Sequence, residues 1–345
     1  MVAKWRDPST MEVVRRLLPT IVSMILATLL VGGGCAGGDT QWRTAFDAEP
    51  IGWLYAAWGS STDDVYVVGA KGEVLEGVVM HYDGSRWEEI DLDLSIPLLQ
   101  WVHGRSATDV TFVGARGTIV HYDGSEATLQ SGVTAEPLWG VWGAASDDLW
   151  AVGGGGFVED SPVLIHYDGS AWTEVPVTLE SPNVHAFFKV WGSAADDVYV
   201  VGQRGVVIHY DGSSWTELDS GVTEDIISVW GTGVDQVVMV GGRANGVALI
   251  KDETGLRTLE LPVGTEPLNG VWVRDGTRAH AVGSGGTHLE IDLDSLEVQI
   301  IDAVPTLDTL HGVFGVGNDL YAVGGNLFVG TPPFRGVALL RNIRE

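Results

Sequence analysis

Cysteine occurs once in the 345 residues, so no internal disulfide can staple the chain. Basic side chains are scarce, 19 Lys and Arg against 46 Asp and Glu, and the formal charge is -27. Such a chain repels phosphate backbones and anionic headgroups, which argues against a nucleic-acid partner. Charged residues are also few overall, at 19%, and that composition fits neither a disordered chain nor a coiled coil. The apolar run Leu17 to Val31 is interrupted by Pro19, Thr20, Ser23 and Thr28. At about 15 residues it falls short of the ~20 that cross a bilayer comfortably as a helix. In excess are Gly, 47 residues, and Trp, 14 residues.

Residues 1–34 read as a signal peptide. Lys4, Arg6, Arg15 and Arg16 precede the apolar run, and Gly32, Gly33 and Gly34 follow it. The single Cys35 comes next, where a bacterial lipoprotein signal is cut and the new N-terminal Cys acylated. The stretch resembles a lipobox, with Gly32 where such boxes usually carry Leu. Lipidation of Cys35, by palmitate or a similar chain, is therefore expected, with residues 35–40 as a short tether. Removal of four basic and two acidic groups with the signal leaves the mature chain near -29. Ala36 carries no obvious inner-membrane retention signal, so the expected address is the cell envelope at the outer membrane.

The remainder, 41–345, is organised by an internal repeat. Trp58-Gly-Ser-Ser-Thr-Asp-Asp-Val-Tyr-Val-Val-Gly69 aligns with the segments Trp142 to Gly153 and Trp191 to Gly202. Weaker copies begin at His103, Trp230, Trp272 and Phe314. The seven leading positions are separated by 45, 39, 49, 39, 42 and 42 residues, a propeller-sized period. Each copy reads as four short strands, a to d, separated by Gly- and Asp-rich reversals. Four antiparallel strands repeated seven times cover both faces by stacking in a ring, which predicts an all-β, seven-bladed β-propeller. The last copy ends after its strand c, Val337 to Arg341. Asp39-Thr-Gln-Trp42-Arg-Thr resembles Asp211-Gly-Ser-Ser-Trp215-Thr, so this N-terminal strand is expected to complete the last blade.

The phrases Val-Trp-Gly, Asp-Asp-Val-Tyr/Trp-Val-Val-Gly and His-Tyr-Asp-Gly-Ser-x-Trp resemble those of a family of bacterial lipoproteins found in predatory and soil bacteria. The resemblance covers residues 39–345 and implies a seven-bladed propeller without an assigned activity. The Asp-Gly-Ser-x-Trp turn is also similar to the Asp box of sialidase-like propellers, a folding turn that carries no chemistry.

The repeated residues read as structural. Trp58, Trp142, Trp191, Trp230 and Trp272 recur on the inner strand and are expected to pack between blades, although a row of aromatics on a sugar-binding face is the sharper alternative. His81, His121, His166 and His209 share one strand-c position. Equivalent positions in different blades lie around a circumference and cannot meet within zinc-bonding distance, so each His is expected to bond a turn of its own blade. The paired acids Asp63/Asp64, Asp147/Asp148 and Asp196/Asp197, and the lone Asp83, Asp123, Asp168 and Asp211, are expected to cap turns on one rim. Calcium is the alternative, but no copy has the dense acidic loop of such sites. No metal and no cofactor are expected.

The opposite rim carries the b to c and d to a loops, where the copies differ most. Its candidate ligand-binding residues are Trp101, Trp139, Phe157, Glu159, Asp160, His185, Phe188, Lys189, His311 and Phe334, with Asn269 beside them. Lys71, Arg116, Arg204 and Arg243 recur at one b to c turn position, either as an anion-binding arc or as solvated hairpin turns. Neither a close pair of carboxylates nor a nucleophile beside a base stands out, so no catalytic residue is assigned. The chain thus reads as a monomeric, lipid-anchored envelope propeller that binds a protein or glycan partner. The alternatives are a propeller-type carbohydrate-active hydrolase, marked by a carboxylate pair at the channel mouth, and an envelope scaffold, marked by a flat apolar patch on the outer strands.

Overall fold

The computed structural model describes residues 41–72, 75–156, 161–301, 304–326 and 333–343. Among these, 28 strands form seven four-stranded antiparallel sheets. Blade 1 comprises Leu54–Ser61, Asp64–Lys71, Glu76–Tyr82 and Trp87–Glu89 as strands a to d, and blades 2 to 6 repeat that order. Strand a of each blade contacts strand a of the blades on either side. Leu54–Ser61 of blade 1 meets Thr309–Val316 of blade 7, which closes the ring. Among the described residues no helix is long and apolar enough to cross a membrane.

Strand b explains why the repeat reads as a continuous apolar run instead of an alternating one. Val65, Tyr66, Val67 and Val68 are at most 2% exposed, because both faces of the sheet are covered by neighbouring blades. The run ends in Gly for a steric reason. A Cβ on Gly69 would lie 2.0 Å from the Trp53 carbonyl, and the same obstruction recurs at Gly114, Gly153, Gly202, Gly241, Gly283 and Gly324. Strand d is short and outermost, as in Trp87–Glu89 and Trp172–Glu174, so its sequence is the least constrained.

Blade 7 is assembled from both ends of the described chain, in the order Arg43–Thr44, Gly336–Asn342, Asp319–Gly325, Thr309–Val316. Arg43 pairs with Leu340 and Thr44 with Leu339, antiparallel. Beside this two-residue ladder Trp42 is 8% exposed and packs edge-on against His288 of blade 6, with ring centroids 5.3 Å apart. Its indole N–H donates to His288 Nδ1 at 3.3 Å. His288 Nε2 lies 3.2 Å from His280 Nδ1. Because His288 Nδ1 accepts, its proton sits on Nε2 and is donated to His280, so both buried rings are neutral. Burial, together with nearby arginines, holds His280 down to about 3, and burial also pushes His288 well below its usual value.

Candidate functional site

The seven innermost strands line a central channel, and each carries the same irregularity near the loop-rich rim. In blade 1 Leu54 pairs with Gly69 and Ala56 with Val68, so Tyr55 is skipped by the ladder. The other blades skip Gln100, Trp139, Phe188, Ile227, Asn269 and His311 in the same way. Such a bulge removes a residue from strand pairing and re-aims its side chain. Here several of them converge. Tyr55 meets His311 edge to face at 4.5 Å between ring centroids, and Trp139 meets Phe188 at 6.3 Å. The Asn269 amide donates to the Leu310 carbonyl at 3.2 Å.

One residue further along, the column consists of Ala56, Gly140, Ser228, Gly270 and Gly312 in five blades, with Trp101 and Lys189 in the other two. These two large side chains meet. Lys189 Nζ lies 4.0 Å from the centroid of the Trp101 ring, although they belong to blades 4 and 2. Blades that are not neighbours touch in this way through the lumen, past the side-chain-free Gly140 of blade 3. The amine also donates to the Trp139 carbonyl at 2.7 Å. Lys189 is 5% exposed, and burial pushes its amine down to about 7. Desolvation, then the Lys189 charge across the channel, pushes the His311 ring down to about 3, and burial raises Tyr55 to about 12.

At the far end of the channel the seven leading residues, Trp58, His103, Trp142, Trp191, Trp230, Trp272 and Phe314, surround one cavity of about 590 Å³. Both sequence readings of the tryptophans have a physical counterpart there. Trp58, Trp142, Trp191 and Trp272 are packed, at 6–9% exposed, and their ring edges also line the cavity. Each ring tip lies on the motif glycine of the next blade. A Cβ there would stand 2.5 Å from Trp58 at Gly104, 2.6 Å from Trp142 at Gly192, 2.7 Å from Trp191 at Gly231 and 2.4 Å from Trp272 at Gly315. Trp230 is the exception, because blade 6 has Val273 in place of that glycine. Its ring stays only half-buried and reaches Phe314 of blade 7, centroids 5.9 Å apart.

The strand-c histidines bond within their own blades. His81 Nε2 lies 2.7 Å from Asp64, His121 3.1 Å from Asp109, His166 2.6 Å from Asp148 and His209 2.7 Å from Asp197. Ser60 and Ser193 donate to the second oxygens of Asp64 and Asp197. Each hydroxyl therefore sits on the acid, so these triplets do not pair a nucleophile with a base. Blade 6 keeps the contact with other residues. Arg278 and Glu290 occupy the Asp and His positions and form an ion pair. Asp83, Asp123, Asp168 and Asp211 accept from the backbone N–H groups two and three residues on, closing their turns. The hydroxyls of Ser85, Ser170 and Ser213, and then these backbone bonds, hold the exposed Asp83, Asp168 and Asp211 carboxyls down to about 2. Gly84, Gly169 and Gly212 of these turns abut Asp63, Asp147 and Asp196, which places both sets of acidic turns on one rim. No group of three or more His, Cys, Asp or Glu gathers for a metal among the described residues.

Of the sequence-predicted rim residues, the fold brings Trp101, Trp139, Phe188, Lys189 and His311 together in the channel mouth. Phe334 packs instead on Trp53, centroids 4.6 Å apart, near the closing seam. His185 is tied by its backbone N–H to Gln203 at 2.9 Å. Phe157, Glu159, Asp160 and Cys35 lie outside the described residues. The basic arc is divided. Lys71 pairs with Glu89 and Arg243 with Asp225, whereas Arg116 and Arg204 are exposed and make no ion pair among the described residues. Tyr55, Gln100 and Ile227 were missed by sequence reasoning, although they share the aligned column of Trp139, Phe188 and His311. The column itself was the available signal.

No protein-family model matches the chain, and no curated protein matches it. Solved propellers do. A streptogramin B lyase is 11% identical over 87% of this chain and 98% of that one, with a TM-score of 0.65. The WD40 propeller domain of Doa1 is 8% identical over 87% and 97%, TM-score 0.66. YCF48 bound to D1 peptide is 12% identical over 88% and 97%, TM-score 0.65. These likenesses establish the β-propeller fold.

Proposed function

We propose that the chain is a binding module that grips a protein or glycan partner of the cell envelope at its loop-rich channel mouth, without turning it over. A lipid on Cys35 holds it at the membrane, in keeping with the lipoprotein family that its repeats resemble. One observation carries the reading. Seven equivalent bulges around one channel carry seven different residues, Tyr55, Gln100, Trp139, Phe188, Ile227, Asn269 and His311. A ring of like blades needs that inequality to hold an asymmetric ligand. The two columns lining the mouth contain no carboxylate, so the pair needed for glycoside cleavage is missing from these positions. YCF48, a propeller of the same fold, is bound to D1 peptide, which gives a precedent for a peptide-sized occupant.

The test is affinity capture from envelope extracts with the wild-type chain and with a Trp139→Ala/Phe188→Ala variant of unchanged melting temperature. A partner retained by the first bait and lost from the second is expected. Equal recovery of every partner from both would remove the mouth as the site. Labelling with radioactive palmitate is expected in the wild type and absent in Cys35→Ser.

A further inference from the structure

Lys189 is a buried amine with no anion beside it. The chain carries 46 acidic side chains, yet none comes within ion-pair distance of this amine among the described residues. A lysine ammonium has three N–H donors. One reaches the Trp139 carbonyl, and the Trp101 ring covers another side. The equivalent position in five of the other six blades holds Ala, Ser or Gly, so the strand geometry does not call for a long side chain here. Burying an unpaired charge is unfavourable, and a hydrophobic residue of similar volume avoids that cost. What the amine lacks is an anionic oxygen, and what surrounds it is aromatic.

We propose that Lys189 anchors the carboxylate of a ligand whose adjoining apolar or aromatic group is taken up by the rings of Trp101, Trp139, Phe188 and Tyr55. This names the chemistry of the occupant and rests on the mouth being the binding site. The half-buried rings of Tyr55, Trp139, Phe188 and His311 are met first by anything coming from the loop-rich rim, and Lys189 lies one residue deeper. A second polar group belongs to the bulged column with Tyr55 and Phe188. Gln100 is 3% exposed, and its side-chain oxygen has no donor among the described residues. It is free to accept from an N–H or O–H of the occupant. A single amine matches a monocarboxylate. A phosphate dianion would need further donors, which this layer does not supply, and would be repelled more strongly by the acidic protein.

Proton linkage follows from the site. The depressed amine is largely neutral at pH 8, and a bound carboxylate restores the charged form, so binding there takes up a proton. His311 and Tyr55, the other titratable groups of the mouth, keep one protonation state between pH 6 and 9. Affinity is then expected to fall about tenfold for each pH unit above the amine's titration.

The experiment titrates the full chain with phenylacetate and with its neutral counterpart phenylacetamide, by calorimetry at pH 6 and at pH 8 in two buffers of different ionisation enthalpy. The wild type is expected to bind the acid at least tenfold more tightly than the amide, with proton uptake at pH 8 and little at pH 6. Lys189→Met keeps the side-chain length without the charge and is expected to melt at least as high as the wild type. It should bind acid and amide alike, with no proton uptake. Equal affinity of the wild type for both compounds, binding of neither, or a preference for the acid that survives in Lys189→Met would overturn the assignment. None of these results touches partner capture by the mouth, which fails separately if the Trp139→Ala/Phe188→Ala variant captures as the wild type does.

Discussion

The two ends of the channel are built from the same seven strands, three residues apart, under opposite constraints. At the cavity end five of seven leading residues are Trp. Each packed ring needs a glycine in the following blade, so the contact is shared between two copies of the repeat and neither can drift alone. At the loop-rich end no two of the seven bulged residues are the same. A bulged residue has no partner in the ladder, and its side chain is answerable only to what else occupies the lumen. Blade 6 tests the first rule from within: Val273 replaces the glycine, and Trp230 of blade 5 loses its seat. Repetition thus marks packing, and its breakdown marks the positions that packing leaves unconstrained.

The comparison is broken most directly by truncating one tryptophan from each end. Trp142→Ala is expected to destabilise the chain by about 3–5 kcal/mol, as for large core aromatics, whereas Trp139→Ala should cost about 1 kcal/mol or less. Urea unfolding followed by circular dichroism measures both, and equal costs would erase the distinction between the two ends.

A second test uses acid. His280 is held down to about 3 and His103 to about 4, mainly by burial, and His288 lies well below its usual value. The unfolded chain takes up these protons near pH 6.5 and the folded chain does not, so the unfolded state binds more protons in between. The stabilisation is complete above about pH 6.5 and is lost as the pH falls towards the folded values, by up to ~1.4 kcal/mol per pH unit for each group. The melting temperature should therefore drop between pH 6.5 and 4. At the cavity end, His103 Nε2 is sealed from solvent without a partner among the described residues. His103→Phe should flatten part of that drop and add about 1 kcal/mol at pH 5. An unchanged slope would show that His103 is not among the groups responsible.

The smallest expected effect sharpens the glycine rule. Val273→Gly gives Trp230 the seat its counterparts have. Stability should change by only about 1 kcal/mol, since a strand glycine offsets the gain. Acrylamide quenching of tryptophan fluorescence should decrease as the ring is covered. Unaltered quenching would mean that something other than Val273 holds Trp230 out.

Much of the fold was legible because a blade is a local object. The Asp-Asp-Val-Tyr-Val-Val-Gly run announces a strand buried on both faces, and the His-Tyr-Asp-Gly-Ser phrase announces a strand and its turn. The bond from each strand-c His to the acid of its own blade follows from spacing within a single copy. The candidate site was legible only in part. Trp101, Trp139, Phe188, Lys189 and His311 stand out as departures from the repeat, but the same departure at Tyr55 and Gln100 went unread. Nothing local distinguishes Phe334, which packs on Trp53, from Phe188, which faces Trp139. Their partners lie far away in sequence, so the pairing depends on where the ring closes.

The sequence by itself determined the repeat, its period and the four-strand unit, because these follow from apolar runs, turn residues and glycines acting over a dozen positions. Which residues meet was decided by tertiary structure. Curling seven sheets around an axis brings Lys189 over Trp101 from two blades away, sets Trp42 against His288, and gathers seven leading residues about one cavity. Residues about 90 positions apart become neighbours only across the lumen. That distance depends on the bulge that turns each inner strand and on the number of blades, which no single copy of the repeat contains.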